Sequence, residues 1–180
     1  MMKNEAIGAY EAAAVMGVHF SRPQRMVELG LISCKILSGE GGREFSVYSL
    51  RECDENFRAY EEELSKSVGG RPRTRVDARH DVLRMLADKQ RPVIMMDDAI
   101  STHEAAEILG VWHTVISRIG ERGEIVGRVL WSDRASTSRL WVWSRKSCEE
   151  YAAKVRSMEK EGTRIGRPRT SAPRKKTANK

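Results

Sequence analysis

Gly110-Val111-Trp112-His113-Thr114-Val115-Ile116-Ser117-Arg118-Ile119-Gly120-Glu121-Arg122-Gly123-Glu124-Ile125 is the stretch on which the fold turns. Val111, Val115, Ile116 and Ile119 fall at helical spacing, so a helix from about His113 to Arg122 turns one apolar stripe inward. Gly123 stands where that helix must stop and can adopt the left-handed conformation that ends it. Upstream, Ser101-Thr102-His103-Glu104 has the Ser-x-x-Glu form that satisfies two amide donors at a helix start. A first helix then runs through Ala105, Ala106, Ile108 and Leu109 to a break at Gly110-Val111. Its small alanines let the second helix cross closely. Two short helices joined by a glycine-containing turn read as a helix-turn-helix.

Downstream, Ile125 to Trp131 is rich in β-branched and aromatic residues, Ser132 to Ser138 is polar, and Leu140-Trp141-Val142-Trp143 follows. That order predicts a β-hairpin. The period-two placement of Trp131, Trp141 and Trp143 suits packing on a half-buried strand better than stacking on bases. Ser144 then caps a helix carrying Cys148, Ala152 and Val155.

The whole pattern occurs twice. Ala12-Ala13 corresponds to Ala105-Ala106, Gly17-Val18 to Gly110-Val111, Arg25 to Arg118, Gly30-x-Ile32 to Gly123-x-Ile125, and Cys53 to Cys148. Gly70-Arg71-Pro72-Arg73-Thr74 returns letter for letter as Gly166-Arg167-Pro168-Arg169-Thr170. The spacing stays between 93 and 96 residues, too long for a solenoid repeat of roughly 20–50 residues. It describes one module used twice, each copy followed by a basic arm. The expected fold class is therefore mainly α with small β-hairpin wings: two tandem winged helix-turn-helix domains plus flexible basic arms. The expected boundaries are 1–66 for the first domain, 67–76 for its arm, 77–97 for a linker with a short helix, 98–160 for the second domain and 161–180 for a disordered basic tail.

Within the first copy the hairpin turns at Ser38-Gly39-Glu40-Gly41-Gly42, and Ser49-Leu50-Arg51-Glu52 offers another capping box. No Gly-x-x-x-x-Gly-Lys-Ser/Thr pattern accompanies those glycines, so they read as a turn rather than a phosphate cradle. Pro23 would cost a donor well inside a helix, whereas a start at Ser21 places it safely in the first turn. In the following helix Leu50, Cys53, Phe57, Tyr60 and Leu64 alternate three and four apart, a seam that packs on its own domain or joins domains or chains. Val76 to Lys89 reads as helical and is stopped by Arg91-Pro92, while Val93-Ile94-Met95-Met96 is either a short strand or a docking segment.

Charge is unevenly placed. The chain carries a formal net charge of +7, and residues 160–180 alone hold eight Lys or Arg against one Glu. Residues 66–75 add Lys66, Arg71, Arg73 and Arg75 without an acid, so the remainder is slightly acidic. Cations concentrated on arms beside folded modules suit a grip on a polyanion. Every apolar run is far shorter than a membrane span of about 20 residues, and the start lacks the apolar stretch of a secretory signal. Three unclustered cysteines, Cys34, Cys53 and Cys148, fit a reducing cytoplasm and read as packing residues; no metal site and no cofactor are expected. His19, His80, His103 and His113 meet no nucleophile or ligand spacing, so no catalytic residues are assigned and an enzyme is not expected.

The runs Gly17-Val18 to Gly30-Leu31-Ile32 and Gly110-Val111 to Gly123-Glu124-Ile125, with Tyr48-Ser49 and Trp143-Ser144 where each wing enters the next helix, resemble the MerR-type winged helix-turn-helix. The same small fold occurs in phage excisionases. The likeness covers residues 6–60 and 99–155. It implies a second helix in the DNA major groove and a wing against the flanking backbone or minor groove. No long dimerising helix or effector domain is read in this sequence, so effector sensing is not carried over.

The candidate major-groove residues are Ser21, Arg22, Gln24 and Arg25 in the first copy and His113, Thr114, Ser117 and Arg118 in the second. Thr114, Ser117, Arg118 and Glu121, like Ser21, Gln24, Arg25 and Glu28, lie opposite the apolar stripe. Arginine can fork onto guanine O6 and N7, and glutamine onto adenine. The shorter first helix makes the second module the better reader. Arg43, Arg134 and Arg139 are the candidate wing contacts.

The arms, Arg71-Pro72-Arg73 and Arg167-Pro168-Arg169, are similar to AT-hooks: proline keeps the backbone extended, and a narrow A·T-rich minor groove concentrates the negative potential that draws arginine in. Arg174, Lys175, Lys176 and Lys180 would add phosphate contacts.

The expected partner is double-stranded DNA with A·T-rich elements, a second copy of the chain being a further candidate. The expected setting is cytoplasmic and nucleoid-associated, and the leading role is transcriptional regulation by a covalent pseudo-dimer. Recombination directionality or DNA bending and bridging is the alternative, with protein recruitment a third.

Overall fold

The computed structural model describes residues 4–38, 44–66, 76–88, 90–131 and 140–160. Among them lie seven helices and two three-stranded antiparallel sheets. The first half runs β1 (Ala6–Gly8), α1 (Ala9–Val15), α2 (Arg22–Glu28), β2 (Cys34–Ser38), β3 (Glu44–Ser49) and α3 (Leu50–Lys66). After α4 (Val76–Leu86), the same order returns as β4 (Ala99–Ile100), α5 (Thr102–Leu109), α6 (His113–Glu121), β5 (Gly127–Val129), β6 (Trp141–Ser144) and α7 (Arg145–Lys160).

Each hairpin gains a third strand that the sequence reading did not anticipate. The sheet orders are β1-β3-β2 and β4-β6-β5, so the second hairpin strand is central in both. The chain is thus a mixed α/β protein rather than a helical one with two-stranded wings. Strands of two or three residues are too short to display an alternating pattern. The repeat still marks them, because Ala6-Ile7 returns as Ala99-Ile100 at the same spacing.

Alternation of side chains across each sheet sets two cores. Ile7 and Tyr48 face the helices of the first half and join Val15, Met16, Leu50 and Cys53. Ile100 and Trp143 do the same in the second half, with Ala105, Ile116, Ile119 and Cys148. The opposite faces of the two sheets meet each other. Ala6, Leu37 and Val47 from the first pack with Ala99, Leu130 and Val142 from the second, and Ile94 and Met96 complete the cluster. Each half is small for an independent core, and this shared layer adds buried apolar surface to both.

Cations close that layer. Lys35 Nζ donates to Ala99 O at 2.6 Å and to Asp97 O at 3.3 Å. Arg128, 5% exposed, donates to Ala6 O at 2.6 Å and forks onto Glu11 at 2.8 and 3.0 Å. Its Nε lies 3.7 Å from Glu5, which Arg91 also grips at 2.8 Å. Glu11 is fully buried, and its carboxylate also accepts the Gly8 N–H at 2.7 Å. That contact is half of the capping box completed in the second copy, where Ser101 and Glu104 exchange both bonds. At position 8, where the second copy has Ser101, a Cβ would lie 3.2 Å from the Leu130 Cβ, a tight fit that glycine avoids.

The segment between the halves packs on the first. Ala6 N donates to Ile94 O at 2.9 Å and Met96 N to Asn4 O at 3.0 Å, so residues 94–96 cover the outer edge of β1. Helix α4 sets Val82 into the first core, with Leu83 and Leu86 against it. Arg79 pins it by donating to Val15 O at 2.8 Å and Asp54 at 2.7 Å, its guanidinium 3.7 Å from the Phe57 ring centre. Leu50, Cys53 and Phe57 of the α3 seam are buried; the side chains of Tyr60 and Leu64 lie outside the described residues. The box expected at Ser49 forms by half. Ser49 Oγ accepts the Glu52 N–H at 3.3 Å, but the Glu52 carboxylate turns to the Ser33 hydroxyl at 2.8 Å, since Ser49 is engaged in β3.

Among the described residues, no helix is long and apolar enough to cross a membrane.

Candidate nucleic-acid interface

Glycines at equivalent places aim the second helix of each half. Gly17 and Gly110 end the first helix with φ of 62° and 67°, and Gly30 and Gly123 end the second with φ of 69° and 73°. A side chain at any of these would strain the backbone. From that turn α6 lays Ile116 and Ile119 into the core. Thr114, Arg118 and Glu121 are exposed on its other side, with Ser117 and His113 half-buried at the margin.

Helix α2 begins at Arg22 behind Ser21, with Pro23 buried in the first turn. It is two residues shorter than α6, and the proline sets the difference. Ser21, Arg22, Gln24, Arg25 and Glu28 are all exposed. The Ser21 side chain makes no cap bond to the helix and instead meets His19 Nδ1 at 2.9 Å.

The candidate arginines differ from the arginines that hold the fold together. Arg79, Arg91 and Arg128 are committed to buried carboxylates. Among the described residues, none forms an ion pair with Arg22, Arg25 or Arg118. Among the described residues nothing accepts from these exposed guanidiniums, which leaves their donors for an external acceptor. The glutamates one turn on, Glu28 and Glu121, can accept a cytosine amino group but repel phosphate.

Trp143 fixes the height of α6. Its ring is fully buried between Gly120 on α6 and Gly127 on β5, and its Nε1 donates to Thr102 Oγ1 at 3.0 Å. A Cβ at Gly120 would fall 2.3 Å from the indole and one at Gly127 2.0 Å. Trp141 stacks on Trp143 with ring centres 4.8 Å apart. In the first half the equivalent trio is Val27, Cys34 and Tyr48, a smaller ring between larger neighbours. Trp131 is 40% exposed at the far end of the sheet, so its packing role is smaller than its spacing suggests.

Sequence reasoning passed over two exposed residues bracketing the α6 face: Trp112, 58% exposed, and Arg122. Neither is matched in the first copy, where His19 and Leu29 occupy those positions, so the repeat gave no signal for them. A cleft of about 460 Å³ runs beside α2, with Met26, Leu29, Leu31 and Phe57 among its walls and Arg22 and Arg25 on its lining.

The candidate wing residues Arg43, Arg134 and Arg139, and the arm residues Arg71, Pro72, Arg73, Arg167, Pro168 and Arg169, lie outside the described residues. Cys53 and Cys148 are fully buried, and burial pushes both thiols up to about 12, which keeps them protonated and unsuited to nucleophilic or metal chemistry. Comparison with known protein families and with curated protein sequences gave no match.

Proposed function

We propose that this chain is a sequence-preferring double-stranded DNA-binding protein, built from two MerR-like or excisionase-like winged helix-turn-helix modules and acting in transcriptional regulation. The observation that carries the reading is the pair Arg25 and Arg118. Equivalent in the repeat, both are exposed on the second helix behind a left-handed glycine turn, and neither has an ion-pair partner among the described residues. The hairpin β2–β3 and its counterpart β5–β6 act as wings. The Gly-Arg-Pro-Arg arms enter the A·T-rich minor groove and supply the salt-sensitive share of affinity.

Replacing Arg118 by alanine tests the reading. On the preferred duplex the loss is expected to be about 1–3 kcal/mol, with base preference relaxed at one position. An equal loss on every sequence would remove the base-reading role.

A protein-recruitment reading has one observation in its favour. Leu29 and Leu31 are 63% and 50% exposed beside the cleft on the first half, and an apolar partner segment would cover them. Because Arg22 and Arg25 line the same cleft, such a partner would compete with DNA for the first module.

A further inference from the structure

One pair of hydrogen bonds and the apolar layer between the two halves are reciprocal, although the Arg128–Glu11 fork has no counterpart because Glu104 is held by Ser101 and Arg145 of its own half. Lys35 and Arg128 are equivalent residues of the repeat, as are Ala6 and Ala99. Lys35 of the first half donates to Ala99 O of the second at 2.6 Å, and Arg128 of the second donates to Ala6 O of the first at 2.6 Å. The apolar layer between them follows the same rule, pairing Ala6, Leu37 and Val47 with their counterparts Ala99, Leu130 and Val142. When residue i meets residue j and the equivalent of j meets the equivalent of i, the two bodies are related by an approximate two-fold axis. A head-to-tail arrangement would place unlike surfaces in contact.

This symmetry constrains the DNA. A duplex has two-fold axes perpendicular to its length, and a two-fold protein engaging one duplex through both halves must align with one of them. Resting on the DNA-binding reading above, we infer that the target is a single duplex site of two inverted half-sites, unlike one another and held at one fixed spacing.

The fixed spacing follows from the buried layer, which joins the modules by packing and charge rather than by a tether. The inequality of the halves follows from the reading helices. Arg25 and Arg118 match and call for the same base, whereas Gln24 stands where the second helix has Ser117. Arg22, an exposed cation, stands where it has the half-buried Val115. Glutamine forks onto adenine and serine does not discriminate so sharply. The protein therefore sits on its site in one orientation, giving the complex a direction that a symmetric homodimer lacks.

The test uses the full chain. A preferred site is selected from a random duplex pool. Its two halves are then rebuilt as inverted and direct repeats across a series of spacings, and as single half-sites, for anisotropy titration. The inverted arrangement is expected to bind about 10²-fold more tightly than either half alone, with a single spacing optimum and no such gain for direct repeats. Gln24→Ser, an exposed change that gives up only the long 3.5 Å bond from the Tyr48 hydroxyl and is checked by an unchanged melting temperature, is expected to move the optimum toward two second-module halves. Tighter binding to direct repeats, or a single half-site bound as well as the pair, would overturn the inference and leave DNA binding standing. Failure to bind any duplex would overturn both.

Discussion

Replacing Arg128 by alanine is expected to cost about 3–5 kcal/mol of folding stability, because it strands Glu11 as a buried charge without its partner. Glu11 is fully buried, accepts both prongs of the guanidinium, and sits on the first helix of the opposite module. Glu5 retains Arg91, so the loss centres on Glu11 and on Ala6 O, which also loses its donor. A domain of this size has about 5–15 kcal/mol in total, so thermal unfolding should move down by many degrees. Glu11→Gln in the same chain removes the stranded charge and should recover part of the loss. A melting temperature within a degree of the parent for Arg128→Ala would mean that the interface is not closed by this pair.

The second large effect concerns the slot around Trp143. Gly127→Ala places a Cβ about 2.0 Å from the ring, inside any tolerable contact, and the indole cannot retreat because Gly120 lines its other side. The expected cost is about 1–3 kcal/mol from overpacking. The first module shows the compatible alternative, in which Tyr48 pairs across the sheet with Cys34 and shares a core with Val27. Trp143→Tyr alone leaves a void and also destabilises. Combined with Gly127→Ala it should cost clearly less than the sum, a coupling readable in a double-mutant cycle. Simple additivity would contradict the slot. Because Gly120 lies on α6, Gly120→Val should also tilt that helix and, on the proposed function, weaken DNA binding.

Residues that act through local spacing were legible in the sequence. Both helix pairs, the glycine stops at Gly30 and Gly123, the start of α2 forced by Pro23 and the inward Ile116 and Ile119 follow from periodicity and backbone chemistry. The edge strands were not, because Ala6–Gly8 and Ala99–Ile100 are too short to show a pattern. The meeting of the two sheets was hidden for a different reason. Lys35 and Arg128 look like ordinary outward cations on hairpin strands, and only three-dimensional placement turns them toward the other module. Glu11 is the instructive case: a helix-start glutamate by its sequence, it also serves as the buried acceptor joining the halves. Trp131 shows the reverse, with period-two spacing that promises packing and a position at the sheet end that leaves it exposed.

The central claim is that two matched helices offer unpartnered arginines to one DNA duplex. Anisotropy titration of labelled duplexes over a salt series tests it most directly, comparing the parent chain with the Arg25→Ala/Arg118→Ala variant at equal melting temperature. The expected result is tight binding at low ionic strength that weakens steeply with salt, together with a sequence preference that the variant loses. Parent chain that ignores duplexes of every composition at low salt, or a variant that retains the full preference, would contradict the account.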